Sequence, residues 1–277
     1  MLAEGEALLA AAGISEAKLN CGWLLAHLLK TDRLSLLADR CALVPAETAA
    51  DFKRLLARKA AGEPLAYILG SQPFCGLSLK VDARVLVPRP ETEELVGLAA
   101  DFILKHYRSG APELLDFGAG SGNIALALAA RFPKALVTAA EKSREALACA
   151  KENAAACGLE GRVKFVRASS LKGVKGPFDV IVSNPPYIPT GIIGGLDKEV
   201  LSEPFLALDG GRDGLKIVRA IAALAPRALK KGGALFLELG DRQAGAALAL
   251  FSGRPWRKSG LFKDLCGKKR FVFAEKK

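Results

Sequence analysis

Histidine is nearly absent from this chain of 277 residues, which contains only His27 and His106. Its cysteines are scattered, with no CxxC pair and no histidine nearby at the spacing of metal ligands. These absences exclude the common zinc sites, and we expect no metal. The cysteines are expected to be buried free thiols in a reducing compartment; they are Cys21, Cys41, Cys75, Cys149, Cys157 and Cys266.

Long apolar runs are also missing. No segment reaches the roughly 18 residues of a membrane span, and the N-terminal stretch carries Glu4 and Glu6 where a secretory signal would be basic. We therefore expect a cytoplasmic protein with no membrane partner. Because 51% of the residues are hydrophobic, the chain can bury a sizeable core and should be globular.

Acidic residues are outnumbered, with 29 against 40 basic ones and a net charge of +11. The resulting field favours an anionic partner such as nucleic acid but carries no specificity, so direct nucleic-acid binding stays open. We interpret the basic C-terminal residues as a solvated surface rather than a dedicated binding patch. They are Lys263, Lys268, Lys269, Arg270, Lys276 and Lys277.

Hydrophobic periodicity divides the chain. Up to about residue 70, apolar residues recur at three- and four-residue steps, which predicts a small helical bundle over residues 1–72. Residues 76–88 alternate apolar and polar side chains in two short pieces around Asp82-Ala83, as in a hairpin or extended connector, so residues 73–90 are predicted to form a β-hairpin linker. The remainder, 91–277, forms a second domain. Caps and breakers punctuate the bundle at Asp32, Pro45 and Gly62-Glu63-Pro64.

Strands and helices alternate in the second domain, which predicts βαβ crossovers and an α/β fold with a doubly wound, mostly parallel sheet. The predicted strands are 113–117, 135–139, 163–166, 178–183 and 234–239, and the predicted helices are 123–132, 143–157 and 215–229. Residues 256–274 resemble a hairpin turning at Cys266-Gly267-Lys268, which would add one antiparallel strand.

A glycine-rich loop follows the first strand of this domain. Gly118, Gly120 and Gly122 lie between that strand and a helix, where such folds bind nucleotides. Glu141 ends the next strand, about 20 residues further on, where an acid binds ribose hydroxyls. Asp116 directly before the glycines would repel a pyrophosphate but could pair with an ammonium group. This pattern favours S-adenosylmethionine over NAD.

An Asn184-Pro185-Pro186-Tyr187 motif ends the strand 178–183, at the sheet edge beside the glycine loop. Pro185 leaves carbonyl oxygens free, and Asn184 offers another acceptor, so together they can hold both hydrogens of a planar NH2 group. Tyr187 offers a flat face to an amide. An ordinary turn with a packed tyrosine is the simpler alternative. The setting favours methyl transfer to nitrogen, driven by orientation and electrostatics.

These motifs resemble the release factor glutamine N5-methyltransferases, which modify the glutamine of the Gly-Gly-Gln loop of peptide chain release factors. The resemblance covers nearly the whole chain. It extends over Gly62 to Gly70, Val87-Pro-Arg-Pro-Glu-Thr-Glu93, the glycine loop, Asn184 to Tyr187 and Glu203-Pro204. The family-specific part is Arg89 to Glu93 with Glu203-Pro204, because the Asn-Pro-Pro-Tyr core also resembles that of adenine N6-methyltransferases.

The resemblance implies a class I, Rossmann-like methyltransferase that uses S-adenosylmethionine and releases S-adenosylhomocysteine. Its protein substrates would be release factors, docked by the helical domain, and we expect a monomer. Asn184 would be catalytic and, with Pro185, Pro186 and Tyr187, would hold the glutamine. The implied cofactor-binding residues are Gly118, Ala119, Gly120, Ser121, Gly122, Glu141, Ser170 and Asn184.

This chain departs from the family pattern at two places. Phe117 and Ala119 stand where the family more often has Leu and Thr. Ala168-Ser169-Ser170 occupies the stretch where the family often has an acid followed by an aromatic residue near the adenine.

Two other functions compete with this interpretation. An adenine N6-methyltransferase acting on nucleic acid would share the motif and suit the positive charge, but it must unstack its base, and no extra domain for that is evident. A binding protein or a nicotinamide-linked oxidoreductase could share the nucleotide fold. Asp116 and the intact Asn-Pro-Pro-Tyr motif count against both the binding protein and the oxidoreductase.

Overall fold

The computed structural model describes residues 1–38, 43–107 and 110–277, so Cys41 lies outside the described residues. The chain divides into two compact units. The N-terminal unit comprises Met1–Ser71 with Leu196–Ser202, and the α/β unit comprises Gln72–Gly195 with Glu203–Lys277. The short segment 196–202 thus belongs to the first unit, whereas the boundary drawn from hydrophobic periodicity assigns it to the second.

The N-terminal unit is helical and packs around Leu9, Leu24 and Phe52, which are fully buried. The predicted caps and breakers are confirmed: Asp32 Oδ1 accepts the Ser35 N–H at 2.9 Å, and prolines precede the fourth and fifth helices. Its helices are α1 (Leu2–Ala11), α2 (Ala17–Leu29), α3 (Arg33–Ala38), α4 (Ala46–Ala60) and α5 (Leu65–Leu69).

The segment 196–202 is held in this unit by polar contacts. The buried Lys59 ammonium pairs with Glu199, and the Ser202 hydroxyl donates to the Gly62 carbonyl at 3.2 Å.

A small hairpin of β1 (Ser71–Phe74) and β2 (Leu77–Lys80) lies at the start of the α/β unit. It turns at Cys75-Gly76, not at Asp82-Ala83 as the alternation predicts. The large sheet of this unit contains β3 (Glu113–Phe117), β4 (Leu136–Glu141), β5 (Val163–Arg167), β6 (Phe178–Ser183), β7 (Leu229–Glu238), β8 (Trp256–Lys263) and β9 (Lys269–Lys276). The longer helices are α6 (Pro90–His106), α7 (Asn123–Arg131), α8 (Arg144–Ala156) and α12 (Lys216–Ala228). Shorter ones are α9 (Thr190–Ile193), α11 (Phe205–Leu208) and α13 (Ala244–Ala249), while α10 (Lys198–Leu201) belongs to the N-terminal unit.

The seven strands lie in the order β5-β4-β3-β6-β7-β9-β8, and only β9 runs against the others. The predicted doubly wound, mostly parallel sheet is confirmed. The chain leaves β3 toward β4 and β5, then returns to β6 on the other side of β3. This reversal opens a crevice at the carboxyl ends of β3 and β6. Because those strands pair directly, the glycine loop and Asn184 emerge side by side.

Two further expectations need correction. Strand β7 begins at Leu229 and not at 234; Gly232 and Gly233 interrupt the strand pattern in the sequence, but the strand continues through them. The described cysteines are free thiols, but Cys75 and Cys266 are exposed and Cys157 is half-buried. Both exposed cysteines lie at hairpin turns, where little chain is available to cover them.

Candidate active site

A cavity of about 480 Å³ opens at the carboxyl edge of the large sheet. This volume falls in the range of roughly 300–1,000 Å³ typical of cofactor sites. The turns after β3, β4, β5 and β6 all contribute to its wall, as does the start of α6. Its lining includes Thr92, Gly118, Ala119, Gly120, Ser121, Glu141, Ala168, Ser169, Asn184 and Pro186.

The three glycines of the loop have different surroundings. All have positive φ, at +83° for Gly118, +53° for Gly120 and +82° for Gly122. A Cβ at Gly118 or Gly120 would meet nothing within 4 Å, whereas at Gly122 it would lie 3.1 Å from the Ala150 Cβ. The first two therefore keep the cavity open, and Gly122 lets the start of α7 lie close to Ala150 of α8. Among the described residues, Gly122 does not line the cavity.

Glu141 lies on the cavity wall and is 9% exposed. Its Oε2 accepts the Gly120 N–H at 2.9 Å. Its Oε1 accepts the N–H groups of Lys142 at 2.7 Å and Ser143 at 2.8 Å. Backbone donors therefore hold this carboxylate at the end of β4, with the glycine loop on one side and α8 on the other.

Two buried polar atoms near the loop lack partners among the described residues: Asp116 Oδ1 and Ser121 Oγ. Ser121 lines the cavity, whereas Asp116 lies behind the wall, where its Oδ2 accepts the Ala125 N–H at 3.0 Å. Full burial raises the pKa of Asp116 to about 8. One oxygen of this carboxyl therefore orients the start of α7, and the pairing of Asp116 with a ligand ammonium stays a prediction.

The site fits a nucleoside with a polar tail. Glu141 offers acceptors on the wall, the first two glycines expose backbone, and the unpartnered Ser121 hydroxyl offers a donor and an acceptor. In the stretch after β5, Ala168 and Ser169 face the cavity. Ser170 does not line it within the described part of the chain; its hydroxyl accepts the Lys172 N–H at 3.3 Å and caps a 3₁₀ turn.

Asn184, which is half-buried, belongs to a chain of hydrogen-bonded side chains. Its Nδ2 donates to Thr92 Oγ1 at 3.0 Å. Thr92 Oγ1 donates in turn to Glu238 Oε2 at 2.7 Å. Glu238 Oε1 also accepts the Tyr187 hydroxyl at 3.4 Å. Thr92 and Glu238 are both 1% exposed. The chain therefore joins the motif after β6 to the first turn of α6 and to the end of β7.

Burial dominates the electrostatics of this chain of groups. It raises the pKa of the Glu238 carboxyl to about 7, a shift that the Thr92 hydrogen bond opposes. Burial, reinforced by the Glu238 charge, also raises the pKa of the Tyr187 hydroxyl. Tyr187 therefore stays a neutral hydroxyl at physiological pH.

The rest of the Asn-Pro-Pro-Tyr motif is firmly held. Pro186 lines the cavity, whereas Pro185 is buried. The carbonyl oxygen of Tyr187 accepts the Gln243 Nε2 group at 2.6 Å. Among the described residues, no donor reaches the Pro185 carbonyl oxygen, and Pro185 itself does not line the cavity.

The linker ahead of α6 is fixed to the same unit by Glu203. One oxygen of this buried carboxylate accepts the Val87 N–H at 2.9 Å, and the other pairs with Arg89, which lines the cavity. This pairing connects the two motif segments that the sequence resemblance singled out. Among described residues, no three His, Cys, Asp or Glu side chains are grouped as metal ligands.

Sequence reasoning missed Thr92, Glu238 and Gln243. Thr92 lies inside the linker motif, so its place next to the family-specific Arg89 was a usable signal. Glu238 is the one charged residue in the otherwise apolar end of β7, an unusual place for a carboxylate. No local pattern marks Gln243.

Two family models match this chain. The PrmC N-terminal domain matches residues 1–70, and the methyltransferase small domain matches residues 93–192.

No helix among the described residues is long and apolar enough to cross a membrane.

Among solved structures, a methyltransferase from Pyrococcus furiosus is 22% identical, with a TM-score of 0.51 over 82% of this chain and 98% of its own. A Thermus thermophilus 16S rRNA N2 G1207 methyltransferase, solved with AdoMet and guanosine, is 19% identical, with a TM-score of 0.52 over 75% of this chain and 50% of its own. These likenesses show the fold alone.

Curated relatives are much closer in sequence. The release factor glutamine methyltransferase of Deinococcus radiodurans is 41% identical over 276 residues, 100% of this chain and 97% of the relative. That of Bradyrhizobium diazoefficiens is 40% identical over 98% of this chain and 92% of the relative. With the matched domains and the cavity at the sheet edge, these identities show that the chain is a methyltransferase and belongs to the release factor glutamine methyltransferase family.

Proposed function

We propose that this enzyme transfers a methyl group from S-adenosylmethionine to the side-chain amide nitrogen of the glutamine in the Gly-Gly-Gln motif of peptide chain release factors. The observation that carries the proposal is the orientation of Asn184. Its Nδ2 is engaged by Thr92, so its Oδ1 is left to accept a hydrogen bond at the cavity wall.

The cofactor would lie along the glycine loop. Gly118 and Gly120 would contact it through backbone, Glu141 would bind the ribose hydroxyls, and Ser121 would bind the polar tail. When bound, S-adenosylmethionine supplies an electrophilic methyl group on sulfur. Ala168 and Ser169 replace the aromatic contact that the family often makes near the adenine, so this end of the cavity would be held by polar and aliphatic contacts.

The chain's own residues would orient the nucleophile. An amide nitrogen is a weak nucleophile because its lone pair is delocalised. Asn184 Oδ1 and the Pro185 carbonyl oxygen are acceptors that could hold its two hydrogens and direct the nitrogen at the methyl group. The same acceptors would stabilise positive charge as it develops on that nitrogen, and its proton would leave to water during or after transfer.

A polypeptide substrate suits the cavity mouth. Phe205 and Leu206 line it and are 57% and 45% exposed. Such apolar side chains at a site entrance favour contact with a protein segment. The release factor would place its glutamine past them, next to Asn184. The free thiols of the described residues favour a reducing compartment, the cytoplasm, as the location.

Adenine N6-methylation of nucleic acid is the second candidate. The net charge of +11 favours it, as does the chemical likeness of the adenine amino group to an amide. The base would have to be unstacked before it could enter the cavity.

Mass spectrometry separates these functions. The protein would be incubated with S-adenosylmethionine and a bacterial release factor, with an adenine-containing DNA or RNA in a parallel reaction. We expect the Gly-Gly-Gln glutamine to gain the mass of one CH2 group, and a release factor with that glutamine changed to Ala to gain none. Methylated adenine with an unmodified release factor would replace our proposal with the second candidate.

A further inference from the structure

Hydrogen bonds join three polar side chains at the cavity: Asn184 and Thr92 line it, and Glu238 lies behind them. Thr92 is at the first turn of α6, Glu238 ends β7, and Asn184 follows β6, so three separate elements meet here. Their contacts run from Asn184 Nδ2 to Thr92 Oγ1 at 3.0 Å and from Thr92 Oγ1 to Glu238 Oε2 at 2.7 Å. Thr92 lines the cavity beside Asn184.

The structure orders the donors from Asn184 Nδ2 to Thr92 Oγ1 and from Thr92 Oγ1 to Glu238 Oε2. The ionised Glu238 carboxylate can only accept, which requires this order. The oxygen of the Thr92 hydroxyl can then only accept, and the group facing it from Asn184 must be the NH2 end of the amide. The Asn184 carbonyl oxygen therefore faces away from Thr92. A rotated amide would place two acceptors against each other.

We propose that Thr92 and Glu238 are positioning residues that hold the Asn184 amide with its oxygen toward the substrate nitrogen. The assignment deepens the proposed function and rests on it for the identity of the substrate. Glu238 touches neither substrate nor cofactor in this scheme. It acts through Thr92, and Thr92 acts through Asn184.

Burial, the largest effect, and the Glu91 charge raise the free energy of the ionised Glu238, whereas Arg270 and the hydrogen bonds from Thr92 and Tyr187 lower it. Even when protonated, the carboxyl retains one acceptor oxygen for the Thr92 hydroxyl.

A structural role would give a different result from a positioning role. If the three groups only fasten α6 to the sheet, removing a hydroxyl would lower the melting temperature and leave the turnover of the remaining folded enzyme unchanged. If they position Asn184, kcat falls while the dissociation constant of S-adenosylmethionine stays nearly constant. The comparison therefore needs isosteric variants.

The experiment uses Thr92→Val, Thr92→Ser, Glu238→Gln and Glu238→Leu in the full-length enzyme, with Thr138→Val on β4 as the matched control. We expect Thr92→Val and Glu238→Leu to lower kcat by about 10- to 100-fold. Thr92→Ser restores the hydroxyl, and Glu238→Gln restores an acceptor, so both retain kcat within about threefold, as does the control. Wild-type kcat in Thr92→Val, at unchanged cofactor affinity, would overturn the proposal.

A second readout does not depend on the substrate. The Asn184 side-chain NH2 signals in a ¹⁵N–¹H NMR spectrum should exchange slowly with solvent in the wild type and in Thr92→Ser, and rapidly in Thr92→Val. Equal exchange in all three would overturn the positioning role whatever the enzyme methylates. The exchange could become rapid in Thr92→Val while the enzyme methylates adenine and not the release factor. That combination would uphold the positioning role and reject the proposed substrate.

Discussion

Glu141 and Glu238 occupy equivalent places in the fold but have different partners. Each is the last residue of a parallel strand at the same edge of the sheet, and each is buried. Glu141 accepts three backbone N–H groups, which can only donate. Glu238 accepts two side-chain hydroxyls, which can rotate. One carboxylate is held by local backbone, and the other organises distant side chains.

This difference separates the two proposed tasks of the cavity. The Glu141 side would bind the cofactor, and its geometry is set by the glycine loop 21 residues earlier in the chain. The Glu238 side would orient the substrate, through a threonine 146 residues away. Changes on the first side should therefore alter affinity for S-adenosylmethionine, and changes on the second should alter turnover.

The largest expected effect is that of Asn184→Ala. Removing the acceptor should lower kcat by about 100- to 1,000-fold, by analogy with the loss of a preorganised polar group at a developing charge. Cofactor affinity should stay largely intact, because Glu141 and the glycine loop are untouched. Steady-state kinetics with the release factor and calorimetry with S-adenosylmethionine measure both quantities. Methyl transfer at near wild-type rate would refute the proposed role of Asn184.

The same contrast explains what the sequence could predict. The glycine loop and Asn184 follow strands, and Glu141 ends one. These strands are visible as local hydrophobic patterns in the sequence, so the common position of the three at the sheet edge was predictable. The Thr92–Glu238 bond depends on the pairing of distant elements, which no local pattern encodes. The resemblance implies that Ser170 binds the cofactor, but among the described residues it is Ser169, one residue earlier, that lines the cavity.

The next largest effect concerns stability against pH. Burial raises the pKa of Glu238 to about 7 from 4.5, so the folded state keeps a proton that the unfolded state has already released. The stabilisation that this proton gives is complete below pH 4.5 and is lost as the pH rises to about 7. Relative to Glu238→Gln, the wild type should lose about 3 kcal/mol of unfolding free energy across that interval.

Urea denaturation of both proteins at several pH values measures that difference. Burial also raises the pKa of Asp116, to about 8, so this residue changes stability with pH in the same direction. Because both proteins contain Asp116, its contribution cancels in the difference between their unfolding free energies. A constant difference between pH 4.5 and 7 would mean that Glu238 titrates normally, contrary to our expectation.

Replacing Glu141 tests the other side of the comparison. Glu141→Gln keeps the shape of the side chain but places an NH2 group against backbone N–H donors, which cannot become acceptors. Glu238→Gln places its NH2 group against a hydroxyl, which can rotate and accept. We expect Glu141→Gln and Glu141→Ala to weaken binding of S-adenosylmethionine by roughly 1–3 kcal/mol, and Glu238→Gln to leave it unchanged. Calorimetry gives the three affinities. Equal affinity in all three would remove Glu141 from the cofactor site.

The smallest expected effect is a difference in stability and cofactor affinity between alanine substitutions at Gly120 and at Gly122. An alanine at Gly120 or Gly122 pays about 1–2 kcal/mol for its left-handed backbone. At Gly122, the new methyl also lies 3.1 Å from the Ala150 Cβ, so Gly122→Ala should be the more destabilised protein in denaturation without cofactor. At Gly120, the methyl enters open space at the cavity, so Gly120→Ala should keep more stability and bind S-adenosylmethionine less tightly.

Ala150→Gly is the matched partner for this test, because it removes the methyl that Gly122→Ala would meet. Combined with Gly122→Ala, it should cost less than the sum of the two single changes, since the contact between the methyl groups is gone. Combined with Gly120→Ala, it should be additive, because those positions do not touch. Additivity in both pairs would show that Gly122 is needed only for its positive φ and that the approach to Ala150 tolerates the extra methyl.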